Sequence, residues 1–309
     1  MPDTPDIPVT ADTSADRVGP QALSWASATA GGAEVTVVRG LREGGSPWLV
    51  RAGDRQLVLR TAPRAEAGRL AFEAAGLRVA PRAGVPAPEL LGYDDGTAAG
   101  VAAVLSTVLP GSSLIPADPR PARLRALGAA AARLHAVACP PSADLPRREH
   151  PIGDEDFAAM RAGHDLGPLQ READRVVAAG PPDGGPTVLV HGDLWQGNTM
   201  WVGDSLAGLI DWDAAGVGAP GVDLGSLRLD AAFCYGPGAA DEVLVGWTAA
   251  AGRPAADVAY WDLVAAVCTP PGLGWFPQAI AAQGRPDLTR ELLVARHEDF
   301  IRAALDSLR

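Results

Sequence analysis

At 309 residues, nearly half of them apolar, the chain is long enough to bury a sizeable core as one large or two modest domains. Its formal charge of −11 argues against a nucleic-acid partner, which needs clustered positive charge, and no apolar run reaches membrane-spanning length. All 26 basic residues are arginine, and Cys139, Cys234 and Cys268 lie too far apart for a zinc site or a disulfide framework, so a reducing cytoplasm is the expected location.

Residues 1–20, MPDTPDIPVTADTSADRVGP, are acidic and proline-rich and lack the basic start and apolar centre of a signal peptide, which predicts a disordered tail. From Val35 the pattern is strand-like. VTVVRGL and WLVRAGDRQLVLR are separated by the turn EGGSP, and the second run folds back at Gly53-Asp54 as a hairpin. Leu70, Ala74 and Leu77 then recur at helical spacing until Pro86 and Pro88 interrupt, and GVAAVLSTVLPG predicts a short buried strand stopped by Pro110-Gly111. Beyond Leu109 the character changes. Leu124, Leu127, Ala131, Leu134 and Val137 share one helical face, and Asp241–Ala251, Val258–Val267 and Thr289–Leu308 also predict helices. A sheet-rich first third followed by a helix-rich remainder points to an α+β fold.

The stretch VLVHGDLWQGNTMWV raises a chemical question, because an acid and an amide interrupt two apolar segments. TMWV and SLAGLI are joined by Gly203-Asp204, a two-residue hairpin connection. Strict pairing of Val202 with Ser205 would set Asn198 opposite Leu209 and place Asn198, Leu209 and Asp211 on one face. An amide oxygen and a carboxylate would then converge, at about 7 Å between backbones, on one hard cation such as Mg²⁺. Asp193 lies on the loop entering this ribbon. One carboxylate for a proton and an Asn/Asp pair for magnesium is the division of labour that phosphoryl transfer needs.

HGDLWQGN resembles the protein-kinase catalytic-loop pattern H-R-D-L-x-x-x-N, with Gly192 in place of Arg. HGDxxxxN followed by IDWD resembles the aminoglycoside phosphotransferase family, and the resemblance runs from about Leu41 to the C-terminus. It implies a two-lobed protein-kinase-like fold, with a small antiparallel-sheet nucleotide lobe over residues 21–108 and a larger, mainly helical lobe over residues 109–309 for catalysis and substrate binding. By the same resemblance Asp193 is the catalytic base, Asn198 and Asp211 bind Mg²⁺, and Asp223 braces the catalytic loop. Arg60 takes the nucleotide phosphates with Glu73 as its ion-pair partner, and a guanidinium suits that role because it forks onto two phosphate oxygens. The carbonyl of Thr107 and the amide of Leu109 hold the base, while Gly44-Gly45-Ser46 covers the phosphates. His191 supports the loop, and His135 belongs to the core.

The implied donor is ATP with Mg²⁺, and a base read through backbone groups admits GTP as well. The implied acceptor is a small hydroxylated molecule. An aminoglycoside or related antibiotic would make this an antibiotic-resistance enzyme, and Asp154, Glu155, Asp156, Asp230, Asp241, Glu242 and Asp262 are acids that would suit a cationic substrate. A choline-like, homoserine-like or sugar-like alcohol is the alternative, and a non-catalytic nucleotide-binding module is another. A different class enters through GVGAPG, residues 216–221, which matches the dinucleotide pattern GxGxxG but lacks a preceding βαβ context. Oligomeric state has no signature in the sequence.

Overall fold

The computed structural model describes residues 18–42, 45–153, 155–181 and 186–309. The tail expected over residues 1–20 therefore lies outside the described residues up to residue 17, as do Gly44 and Asp154. Val18 is buried, and helix α1 (Pro20–Thr29) starts at the end of that stretch. The chain divides into two units, one reaching Ala74 and including Glu89–Val108, the other comprising Ala75–Pro88 and Leu109–Arg309.

The first unit is built on a sheet of five strands, β1 (Val35–Arg42), β2 (Gly45–Ala52), β3 (Arg55–Ala62), β4 (Leu90–Asp95) and β5 (Ala102–Thr107). They pair antiparallel in the order β1-β2-β3-β5-β4. The hairpin turns at Gly53-Asp54, with Ala52 opposite Arg55. Gly45 and Ser46 belong to β2 and not to the turn before it. Strand β5 shows why an unbroken apolar run is a strand here. Ala103 and Leu105 face a cluster with Trp48, Val50, Leu57 and Leu59, whereas Ala102 and Val104 face Leu70 and Ala74 of helix α2 (Ala67–Val79). With both faces covered, no alternation is needed. Strand β4, LLGYDD, follows two prolines, has no alternation, and was not expected from the pattern.

The second unit is mainly helical. In chain order come α3 (Pro121–Leu134), β6 (Arg147–Arg148), α4 (Phe157–Arg161), α5 (Pro168–Ala178), β7 (Val188–Val190), β8 (Thr199–Val202), β9 (Ser205–Leu209) and β10 (Gly216–Gly218). Then follow α6 (Gly221–Tyr235), α7 (Gly238–Ala251), α8 (Val258–Val267), α9 (Phe276–Ala282) and α10 (Arg290–Ser307). The helices expected near 241–251, 258–267 and 289–308 are present, and the Thr289 side chain caps the last one by accepting from the Leu292 amide at 3.3 Å. Helix α6 was not anticipated. It is buried over most of its length, so it has no amphipathic stripe to detect. Among the described residues no helix is long and apolar enough to cross a membrane.

Segment 75–88 joins this unit through backbone contact: the Leu209 amide donates to the Pro86 carbonyl at 2.9 Å, and a Cβ at Gly208 would lie 2.5 Å from that oxygen. Helices α3 and α7 meet the same way. A Cβ at Gly128 would lie 2.0 Å from the Val243 carbonyl, and one at Gly246 would lie 2.0 Å from that of Arg125. Gly→Ala normally stabilises an exposed helix by about 1 kcal/mol. Here backbone sits where the methyl would go, so Gly128→Ala and Gly246→Ala are each expected to destabilise by ~1–3 kcal/mol in urea unfolding. A rise in midpoint for either variant would contradict this packing.

Candidate active site

The loop that carries HGD begins where β7 ends. The His191 and Gly192 amides both donate to the Asp223 carboxylate, at 2.8 Å to Oδ2 and 2.8 Å to Oδ1. Asp223 lies in the first turn of α6 and is fully buried. Its third partner is His135 just past α3, whose Nε2 lies 3.1 Å from Oδ2. The indole Nε1–H of Trp247 reaches His135 Nδ1 at 3.0 Å. An indole N–H can only donate, so Nδ1 accepts and Nε2 carries the proton that goes to Asp223. Burial pushes the Asp223 carboxyl up, but the hydrogen bonds from His135 and from the His191 amide outweigh it and hold the carboxyl below the usual carboxylate value.

Gly192 is left-handed at φ 83°, and a Cβ there would lie 2.1 Å from the Ala214 carbonyl. An arginine, as in the kinase pattern, is excluded at this position on both counts. His191 donates from Nε2 to the Ile210 carbonyl at 2.9 Å, and its ring lies 4.7 Å from that of Trp212. Burial lowers its pKa, so it is a neutral strut for the loop.

The ribbon β8–β9 departs from the strict pairing expected. Val202 pairs with Ser205 and Trp201 with Leu206, but the register then shifts, so that Met200 pairs with Gly208 and Thr199 with Leu209. The extra residue, Ala207, is a β-bulge. Asn198 consequently faces Ile210 instead of Leu209, and the Ile210 amide donates to the Asn198 carbonyl at 2.9 Å. Asp211 is the next residue and leaves the strand in a left-handed conformation, φ 64°. Asn198 and Asp211 are thus brought close by a backbone bond one residue away, and not by sharing a strand face.

Asp193 and Asn198 are in direct contact. The Asn198 side-chain amide donates to the Asp193 carbonyl at 2.8 Å and to its carboxylate Oδ2 at 2.9 Å. Both bonds use Nδ2, which leaves Asn198 Oδ1 directed elsewhere. An amide oxygen and the Asp211 carboxylate are hard oxygen donors, the kind that Mg²⁺ takes together with phosphate oxygens. Among the described residues no group of three or more His, Cys, Asp or Glu gathers to hold a metal ion by itself.

In the first unit, Arg60 on β3 forms an ion pair with Glu73 on α2, 3.3 Å apart and largely buried. The Ser46 hydroxyl accepts from the Thr61 amide at 2.9 Å, one residue from Arg60, so it serves the sheet. Thr107 is fixed at the end of β5, its amide donating to the Glu89 carbonyl at 3.0 Å and its hydroxyl accepting from the Glu89 amide at 2.8 Å. Leu109 begins the long segment of the second unit and packs beside Gly208.

Among the described residues, most of the acids offered for a cationic substrate have partners within this unit. Asp156 caps α4 by accepting from the Ala159 amide at 2.8 Å, and Glu242 pairs with Arg125 at 2.5 Å. Asp262 accepts from Arg228 at 2.9 Å, with Asp241 3.6 Å from the same guanidinium. Asp230 binds Gln196. Glu155 and Asp156 both line a cavity of about 530 Å³ with Tyr260, Trp261 and Arg253. The dinucleotide-like glycines are likewise accounted for by this chain's own packing. A Cβ at Gly216, Gly218 or Gly221 would lie 2.4 Å from the Pro146 carbonyl, 2.4 Å from that of Arg148, or 1.9 Å from the Trp261 ring. Two contributors escaped the sequence reading, the brace from His135 and the bonds from Gln196, and neither residue stands in a pattern that marks it.

Removing the Asp223 carboxylate strands three buried donors, so Asp223→Ala is expected to destabilise by on the order of 3–5 kcal/mol. Folding lowers this carboxyl's pKa, so its contribution is present above the ordinary carboxylate value of 3.8 and is lost as pH falls through the folded value. Unfolding curves across pH 3–7 should show that acid-side loss in the wild type and not in Asp223→Asn; parallel curves would contradict it.

Comparison with known proteins bears on the family and the fold. A model of the phosphotransferase enzyme family (APH) matches residues 37–266. Comparison with curated proteins returned no match. Among solved structures, the macrolide 2′-phosphotransferase MphH from Brachybacterium faecium is similar at TM-score 0.60, with 22% identity over 89% of this chain and 97% of that chain. Aminoglycoside phosphotransferase APH(3″)-Id from Streptomyces rimosus, in complex with ADP and streptomycin, is similar at TM-score 0.52, with 20% identity over 79% and 97% of the two chains. A thermostable mutant of aminoglycoside phosphotransferase APH(4)-Ia, in complex with ADP and hygromycin B, is similar at TM-score 0.54, with 16% identity over 91% and 97%. At these identities the likeness concerns the fold, which is protein-kinase-like.

Proposed function

This chain belongs to the phosphotransferase enzyme family, and on that premise we propose that it moves the γ-phosphate of ATP onto a hydroxyl of a small molecule. The observation that carries the reading is the hydrogen-bonded pair Asp193–Asn198 on a loop braced by Asp223, with Asp211 one residue from the ribbon partner of Asn198.

Each residue then has a task. Asp193, its carboxylate oriented by Asn198, accepts the proton of the acceptor hydroxyl as that oxygen bonds to the γ-phosphorus. Asn198 Oδ1 and Asp211 hold Mg²⁺, which when bound neutralises charge on the nucleotide phosphates. Arg60, kept in place by Glu73, takes phosphate oxygens through its fork. Thr107 and Leu109 supply the backbone groups that read the base, which accommodates GTP as well as ATP. Ser46 supports the strand that carries Arg60.

The acceptor is a hydroxylated molecule of the antibiotic or metabolite-alcohol class. Asp156, Glu242 and Asp262 have partners of their own, which weakens the particular case for a polycation held by those acids. Incubating the protein with ATP or GTP and Mg²⁺ across aminoglycosides, macrolides, choline-like alcohols and sugars, and following ADP or GDP release, is expected to give acceptor-dependent turnover. Asp193→Asn should lower kcat by ~10²–10⁴-fold while nucleotide affinity is retained. Undiminished turnover in that variant would remove Asp193 from the mechanism, and nucleotide binding without release for any acceptor would favour a non-catalytic module.

A further inference from the structure

Asp223 grips one end of the catalytic loop, and the residue seven positions later on α6 meets the other end. Seven residues are close to two helical turns, so Asp223 and Asp230 lie on nearly the same face of α6, about 10 Å apart along its axis. The Gln196 amide donates to Asp230 Oδ2 at 3.2 Å, and the Gln196 side chain donates to the same oxygen at 2.8 Å. Gln196 opens the 3₁₀ turn Gln196–Asn198, and its remaining groups are also engaged. Its carbonyl accepts from the Thr199 hydroxyl at 2.6 Å, and its side-chain oxygen lies 3.4 Å from the Tyr235 hydroxyl. Resting on the phosphotransfer reading above, we propose that Asp230 is a positioning residue, a second carboxylate clamp on α6 that fixes the turn Gln196–Asn198 and thereby sets Asn198 against Asp193.

The electrostatics support a functional reason for a charge here. Asp230 is buried, and burial pushes its carboxyl up to about 6, against the bonds from Gln196. Its contribution to stability is therefore full below the ordinary value of 3.8 and is lost as pH rises through about 6, the reverse of Asp223. An ionised carboxylate that weakens the fold at neutral pH is retained for the stronger, charge-assisted bonds it gives the loop. Burial pushes the Cys234 thiol and the Tyr235 phenol up, and Arg285 and Arg296 approach from outside α6 to donate to the backbone carbonyls of Cys234, at 3.5 Å, and Phe233, at 2.6 Å.

The test uses the full chain with two substitutions. Asp230→Asn keeps the shape and removes the charge. It should fold, with a pH 7 melting temperature no lower than wild type. Its kcat should be about tenfold lower, with nucleotide KM little changed. Wild-type kcat should decline as pH falls through about 6, and Asp230→Asn should lack that limb. A residue needed only for folding would lower the melting temperature and leave the pH profile of kcat alone. The second readout needs no acceptor, so it stands even if no phosphate acceptor is found. In Asp230→Ala, amide exchange over residues 194–199 should be at least ~10-fold faster than in wild type, while α7 is unchanged. Wild-type kcat and acid limb in Asp230→Asn, or wild-type protection of 194–199 in Asp230→Ala, would overturn the proposal.

Discussion

A carboxylate with no access to water organises the second unit. Asp223 accepts from two consecutive loop amides and from an imidazole that an indole in turn orients. A buried charge is tolerable only when its lone pairs are taken up, so those donors cannot wander. The loop is thereby held against α6, the imidazole ties in the end of α3, and the indole ties in α7. The position of Asp193 follows from this constraint, because it is the residue after the second gripped amide.

The same helix carries charge on more than one side. Arg228 bonds Asp262 of α8 and the Ala240 carbonyl of α7, while Asp223 and Asp230 face the loop. An apolar helix in that place would pack as well but would not choose a rotation. Charged groups with fixed partners choose one, since turning α6 by a residue would leave each of them buried and unpaired.

How much of this was legible depended on whether the signal is local. HGD, the Asn five residues on and IDWD are close in sequence, and the ribbon between them has a recognisable two-residue turn, so the nearness of Asp193, Asn198 and Asp211 could be read from spacing. The register could not, because a bulge at Ala207 has no compositional mark. Helix α6 hid because its burial removes the amphipathic period. Asp230 was visible only as one acid among seven, since its partner is 34 positions earlier and Gln196 looks like an ordinary loop residue. The glycines of 216–221 imitate a cofactor motif in spacing without its βαβ context, and the physical requirement behind them is close approach by this chain's own backbone and Trp261.

The bulge at Ala207 makes the ribbon a device with parity. One residue more on β9 than on β8 decides whether position 209 or position 210 stands across from Asn198. Homologues and engineered versions should therefore vary freely in length at the exposed tip, Gly203-Asp204, and hardly at all between the tip and Asp211, because a single-residue deletion there would slide Asp211 past Asn198 and shift the buried Leu209 as well.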